Sequence, residues 1–285
     1  MLVTTKYLAK RAKKNGYAFG SFNTSNLEIT KAIISAAINQ KAPISIETSE
    51  GEINYAGAEY LAGMIKEVSK KVAVPIALHL DHGKSIEMVL RCLKAGYTSV
   101  HIDGSALLLE ENIKLTKSVV KLARKYGASV EGEIGHIEGG SSIHNKKLKK
   151  EDIEYAKPED VKDFVRATGV DLVAVGIGSG HGLYKNEPKL DFERLQKIHW
   201  ITNAYLVLHG SSGISPKNIK KAIKLGISKI NVNTDLRIAF TQALRKTLVK
   251  NKKEVVPYNI LPPSITAVQK VVEKKIEIFE ARNKA

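Results

Sequence analysis

The stretch "IALHLDHGKS", residues 76–85, follows three apolar residues with two histidines and an aspartate, and turns at Gly83. A strand that needed only to be buried would have no use for His79, Asp81 and His82 together. An imidazole supplies a nitrogen donor to a metal, and a carboxylate beside it can serve as general base. His181 in "GIGSGHG" and His209 in "LVLHGSSG" share the setting of His82, each ahead of a glycine: Gly83, Gly182 and Gly210. Glycine there would let the backbone approach a ligand closely. Three histidines with an open fourth position form a catalytic zinc arrangement, in which the open position takes a substrate oxygen. The three are far apart in sequence, so each singly also fits a hydrogen-bonded place near the core. His79 and His101 read as core or supporting groups, His136 and His144 as loop residues, and His199 as a helix-end residue. The segments "GIGSGHG", "HGSSG" and "NVNTD" offer small residues and free backbone N–H groups, which suit either a phosphate nest or plain tight turns.

Some framework must bring these distant residues together. Eight short apolar runs recur at 17–23, 43–48, 75–81, 99–103, 128–135, 172–178, 205–210 and 229–235. Their near-continuous hydrophobicity is that of parallel strands covered on both faces. Helical patterns lie between them. One starts behind a cap at Asn26, one has Pro158 in its first turn, and others stop at Gly127, Gly169 and Gly226. Alternation of eight strands with helices predicts an α/β fold, a (β/α)8 TIM barrel, over residues 1–285 as a single domain. Helical segments near 236–252 and 264–282 make residues 236–285 a C-terminal extension. A doubly wound open sheet is the alternative, but the first strand runs into "GSFNTSNLE" without the glycine-rich dinucleotide turn. The N-terminal "MLVTTKYLAKRAKK" reads as a short surface helix and lacks the apolar centre of a secretory signal. Barrels carry chemistry at the C-terminal ends of their strands. There the sequence places Asn23, Ser49, Asp81, His82, Asp103, Glu131, Glu133, His181, His209 and the "NVNTD" segment.

Composition narrows the function classes. The chain has 285 residues, a formal net charge of +16 and 6% aromatic residues. The lysines are scattered along helix faces, and few aromatics are present to stack bases, so no nucleic-acid partner is expected. Attraction of an anionic small substrate is a better use of the field. No apolar run reaches the roughly 18 residues of a membrane span, so no membrane partner is expected. The single cysteine, Cys92, reads as a buried small hydrophobe, and a cytoplasmic location is the simplest expectation.

Taken together, "FNTSNLE", "TSEG", "IALHLDHGKS", "AGYTSVHIDGS", "ASVEGEIG", "AVGIGSGHGLY", "LVLHGSSG" and "KINVNTDLR" resemble, in order and spacing, the class II fructose-bisphosphate aldolases. The branch resembled also holds tagatose-bisphosphate aldolases, and the likeness covers about residues 1–250. It implies a catalytic Zn²⁺ on His82, His181 and His209, with Asp81 as the acid/base acting on the substrate hydroxyl. Asp103 and Glu133 would provide a second metal position. Gly182, Gly210, Ser211, Ser212, Asn231, Val232, Asn233 and Thr234 would hold the dihydroxyacetone phosphate half. Asn23 and Ser49 would also face substrate. A monovalent cation, Na⁺ or K⁺, would sit by the phosphate loops, and the chain would form a homodimer or homotetramer. The implied reaction is reversible cleavage of fructose 1,6-bisphosphate through a zinc-stabilised enediolate. The Schiff-base route would need a lysine at a strand end, and the ends of the fifth to eighth predicted strands carry none.

The chain departs from this pattern in two places. After the fifth strand, "IEGGSSIHNKKLKKED" has Ser141 and Ser142 where an acidic pair is expected, leaving Glu138, Glu131 or Glu133 as substitutes. Residues 136–158 there suit either a lid or a solvated loop. Ile265 falls near the place of a basic residue for the distal phosphate, with Lys270 or Arg237 as replacements. Tagatose 1,6-bisphosphate or another ketose phosphate therefore stays open as substrate. A barrel that binds phosphorylated ligands or RNA without catalysis is the non-enzymatic alternative.

Overall fold

A computed structural model describes residues 1–137 and 140–285. Nine parallel strands run in chain order: β1 Leu2–Val3, β2 Phe19–Asn23, β3 Ile44–Ser49, β4 Ile76–Gly83, β5 Ser99–Ile102, β6 Ser129–Ile134, β7 Leu172–Val175, β8 Tyr205–Leu208 and β9 Ile227–Val232. Strands β2 to β9 pair in sequence, and β9 returns to β2, so the sheet closes into an eight-stranded barrel. Closure excludes the open doubly wound sheet. The helices are α1 Thr5–Asn15, α2 Leu27–Gln40, α3 Glu50–Ala56, α4 Ala58–Ser69, α5 Ile86–Ala95, α6 Leu109–Arg124, α7 Pro158–Thr168, α8 Phe192–Ile201, α9 Pro216–Lys224, α10 Thr234–Lys250, α11 Pro257–Ile260 and α12 Pro262–Ile278. The expected caps are present: Asn26 Oδ1 accepts from Ile29 N at 2.9 Å, and Gly169 ends α7 in the left-handed region.

Several boundaries differ from the sequence expectation. Leu2 and Val3 form a strand beside Ile76 and Ala77 rather than part of a helix. Helix α1 is no free surface helix: Leu8, Ala9 and Ala12 are buried, and Thr5 Oγ1 meets Ser99 Oγ at 2.6 Å and Ser129 Oγ at 2.8 Å, closing the N-terminal end of the barrel. The run at 172–178 leaves the sheet after Val175, because Gly178 adopts φ 112. The last strand begins at Ile227, and Thr234 and Asp235 open α10 instead of ending β9.

What positions the site is the alternation along the strands. Ile46, Leu78, Leu80, Val100, Ile102, Val130 and Ile230 belong to the apolar core. The alternating positions are polar: Glu47 and Ser49, His79 and Asp81, His101 and Asp103, Glu131 and Glu133, Lys229 and Asn231. These groups meet across the barrel, between strands that are not neighbours, as in Lys229–Glu131 and Asn231–Asp81. The interior is therefore lined with ionisable groups instead of the branched aliphatics that usually fill such a barrel. Helix α12 buries Val268, Val272 and Ile276, and it packs between α2 and α10. Among the described residues no helix is long and apolar enough to cross a membrane.

Candidate active site

The C-terminal mouth of the barrel is organised around His82. Strand β4 slips register between Leu80 and Gly83, and His82 takes φ 49, a left-handed conformation uncommon for a side-chain-bearing residue. Such strain persists where surrounding structure fixes it, and here it follows from the bulge at the strand end. The ring is fixed from both sides. Its Nδ1 donates to Asp103 Oδ2 at 2.8 Å, and its Nε2 lies 2.9 Å from His209 Nδ1. His209 in turn donates from Nε2 to Glu131 Oε1 at 2.8 Å. The His181 ring lies edge-on to both, with centroids 4.9 Å from His82 and 5.8 Å from His209.

Asp81 lies beside this cluster. Asn23 Nδ2 donates to its Oδ2 at 3.0 Å and Asn231 Nδ2 to its Oδ1 at 3.1 Å. Asn23 also donates to Glu52 Oε2 at 3.1 Å, and Glu52 pairs with Arg237 at 2.9 Å. Ser49 is a helix cap, its Oγ accepting from Glu52 N, so its hydroxyl serves α3 first. A cavity of about 20 Å³ is lined by Asn23, Asp81, Ser141, His181, Gly182, Gly210, Ser211, Ser212, Asn231, Asn233 and Thr234. The side chain of Val232, expected among the phosphate contacts, packs in the apolar core with the outward parity of β9, which leaves its backbone for such a contact.

Close packing also requires glycine at these positions. A Cβ on Gly83 would meet Leu80 Cδ2 at 2.6 Å and the His101 carbonyl at 2.8 Å. On Gly182 it would strike His144 Nε2 at 2.3 Å, and on Gly210 the Gly180 carbonyl at 2.6 Å. Gly182 and Gly210 also have φ of 98 and 65. They allow the loops that carry His181 and His209 to pack closely.

Electrostatics call for a cation at this spot. Burial opposes charge on the His82 ring, yet Asp81, the hydrogen bond to Asp103 and Glu133 together hold its pKa up at about 10. Burial, then the charge of Asp103, pushes Glu133 up to about 8. Burial also opposes ionisation of Asp81, but the rings of His82 and His209, with Lys229, keep it below the carboxylate range. Burial keeps His181 and His209 neutral, and His101 is pushed down to about 3 by burial and by His82. Three buried atoms that could ligate, His181 Nε2, His101 Nε2 and Glu133 Oε2, have no hydrogen-bond partner among the described residues. Two four-residue groups bring their donor atoms within 4.8 Å of one another: Asp81, His82, His101, His209, and His82, His101, Asp103, Glu133. The cluster can hold a metal ion.

The structure brings His82 together with Asp81 and His209 on one side and with Asp103 and Glu133 on the other. His181 is adjacent by its ring but outside both donor groups. His101, read as a core residue, is inside both. Lys229 was missed as well. It is fully buried in the barrel and ion-paired to Glu131 at 2.8 Å and Glu47 at 3.5 Å. It lies inside the last strand, and those ion pairs leave it no part in a Schiff base. Lys270 is exposed on α12, Ile265 packs partly against the core, and Arg237 bonds the carbonyl of Ser141, which lines the cavity. Of the acids considered for the loop, Glu138 lies outside the described residues.

A closed parallel barrel with histidines, carboxylates and phosphate-sized loops at its C-terminal mouth defines a barrel enzyme with a candidate metal centre. Residues 3–284 match the model of the class II fructose-bisphosphate aldolases, and the chain belongs to that family. It is 41% identical over 308 residues to the fructose-bisphosphate aldolase of Thermus caldophilus, covering 100% of each chain. It is 42% identical over 287 residues to that of Geobacillus stearothermophilus, covering 100% of this chain and 99% of the relative. Among solved structures it is similar to the YdjI aldolase from Escherichia coli K12, with a TM-score of 0.87, 34% identity and full coverage of both chains.

Proposed function

We propose that this chain is a zinc-dependent lyase that reversibly cleaves fructose 1,6-bisphosphate to dihydroxyacetone phosphate and glyceraldehyde 3-phosphate. The observation that carries the reading is the convergence of His82 Nε2 and His209 Nδ1 at 2.9 Å, beside the amide-clamped Asp81 and the unpartnered Nε2 of His181. His82, His181 and His209 would hold zinc, and Asp103 and Glu133, with His101 next to them, a second cation. When bound, zinc supplies Lewis acidity toward the carbonyl and neighbouring hydroxyl oxygens of the ketose.

Asp81 takes the proton from the hydroxyl on the carbon that leaves as aldehyde. The two amides on its oxygens orient it and leave it ionised for this task. Gly182, Gly210, Ser211, Ser212, Asn231, Asn233 and Thr234 hold the phosphate of the ketone half, aided by the N-terminus of α10. Carbonyls of the two glycine loops offer a place for Na⁺ or K⁺. Ser141 lines the cavity where an acid was expected, so proton return to the ketone half falls to another group, for which Glu133, a buried acid of raised pKa, is our candidate. We further propose a cytoplasmic, homo-oligomeric enzyme, built as one domain with the C-terminal helices on the barrel.

The test is triose formation from fructose 1,6-bisphosphate and, in parallel, tagatose 1,6-bisphosphate, before and after chelation and again after zinc is restored. Activity that disappears with chelation and returns with zinc is expected. Activity that survives complete metal removal, or a borohydride-trapped lysine adduct, would overturn the mechanism. A clear preference for the tagatose sugar would reassign the substrate and leave the mechanism standing.

A further inference from the structure

Lysine is almost never fully buried unless paired, and Lys229 is fully buried at the heart of the barrel. It stands on β9 two residues before Asn231, one layer below the mouth. Its ammonium lies 2.8 Å from Glu131 Oε2. The other oxygen of the same carboxylate, Oε1, accepts from His209 Nε2 at 2.8 Å. The opposite nitrogen of that ring, Nδ1, faces His82 Nε2 at 2.9 Å. These contacts form one chain from the barrel floor to the cluster.

We infer that Lys229 is a positioning residue for the metal centre, acting through Glu131 to set which nitrogen of His209 points at the ion. The inference rests on the metal reading proposed above. A histidine can ligate through only the nitrogen that carries no proton, and the group bound to the other nitrogen decides which that is. A carboxylate can only accept, so Nε2 must donate to Glu131 and Nδ1 is left with its lone pair toward the cluster. Glu131 can serve this way only if it stays in place. Lys229 holds one oxygen, across the barrel from β9, and thereby fixes the plane of the carboxylate that holds the ring. Glu47, the second neighbour of Lys229 at 3.5 Å, accepts from Ser21 and anchors the ammonium on its far side. Without Lys229 the second oxygen of Glu131 loses its hydrogen-bond donor among the described residues, leaving only His79 Nε2 at 3.7 Å, and the carboxylate is less firmly held against His209.

The test measures metal affinity and not turnover. Zn²⁺ and Co²⁺ dissociation constants are determined by competition with a chromogenic chelator for the wild-type chain, for Lys229→Met, and for Lys229→Met combined with Glu131→Gln. Circular dichroism of each metal-free chain reports folding. The double variant removes the carboxylate that Lys229 pairs most closely, and Glu47 keeps its bond from Ser21, so it keeps the experiment decisive if the single variant does not fold. Loss of supports of this kind typically weakens metal binding 10- to 100-fold, and that loss is expected in both variants, with a changed visible spectrum of the Co²⁺ form. A folded variant that binds Zn²⁺ as tightly as wild type, with an unchanged Co²⁺ spectrum, would reduce Lys229 to a packing role and overturn the inference. A wild-type chain that binds neither ion overturns the metal reading and this inference with it.

Discussion

Asp81 shows how much the neighbours of a single side chain decide. Both of its oxygens receive an amide N–H, from Asn23 on β2 and Asn231 on β9. Asp81→Asn changes only one atom, but the new carboxamide has a single acceptor oxygen for two donors. It also cannot take a proton. General-base catalysis typically contributes about 10²–10⁴-fold, so kcat should fall by about that factor while zinc affinity, read by chelator competition, changes little. A parallel loss of zinc would instead make Asp81 a ligand, as its place in one of the two donor groups allows. Asp81 and His82 were legible in the sequence because they end a strand and precede a glycine. His101, Glu47 and Lys229 were not, because each was judged by its immediate neighbours, and Glu131 was singled out only as an acid and not as a partner of His209. The signal was present in the period of two: E-x-S, H-x-D, H-x-D, E-x-E and K-x-N on five strands place all ten polar residues on one face. The left-handed His82 had no sequence signal, since the bulge that causes it is a property of the β4–β5 register.

At the scale of elements, the loops that carry His181 and Ser141 form one unit. Ile143 bridges Leu183, His144 N donates to the Leu183 carbonyl at 2.8 Å, and Leu183 N to the Ser142 carbonyl at 2.9 Å. Asn186 clasps Leu148 with two hydrogen bonds, at 2.8 and 3.1 Å. The His144 ring stacks on Tyr184 and contacts the carbonyl of His181 at 3.0 Å. Arg237 holds the Ser141 carbonyl at 3.2 Å. The cavity beneath, about 20 Å³, has room for about one water. Entry of a sugar bisphosphate is expected to need this paired unit to lift, and its closing bonds should then bear on substrate affinity. Asn186→Ala removes both clasping bonds. Hydrogen exchange at residues 146–149 should rise, and KM should increase several-fold with a smaller change in kcat. Unchanged exchange there would mean the clasp does not hold the loop. The eight strands and most helices were legible because buried parallel strands and caps leave strong local patterns. The pairing of the two loops was not, because it depends on backbone bonds between residues 39 to 41 positions apart, which no local pattern encodes.

For the molecule as a whole, folding and metal binding share one electrostatic account. In the metal-free chain His82 has its pKa raised from 6.5 to about 10 and Glu133 from 4.5 to about 8. A raised pKa means that the folded chain binds the proton more tightly than the unfolded chain. The stability from Glu133 is therefore complete below pH 4.5 and is lost as pH rises through about 8. That from His82 is complete below pH 6.5 and is lost as pH rises through about 10. Between pH 7 and pH 9 both decline, by an amount on the order of a few kcal/mol in sum. A divalent cation meets the same demand for positive charge without a proton, so the loaded chain should lack this decline, and each ion bound near neutral pH should release a proton. Thermal unfolding at pH 7 and pH 9, with chelator and with zinc, tests the link. The chelated chain should melt at a lower temperature at pH 9 than at pH 7, while the zinc-loaded chain should change much less. The formal charge of +16 falls as lysines titrate only at higher pH, so relief of overall repulsion cannot produce the expected loss. A chelated chain that is as stable at pH 9 as at pH 7 would show that the cluster does not hold its protons, and that the demand for a cation at His82 is weaker than its carboxylate neighbours imply.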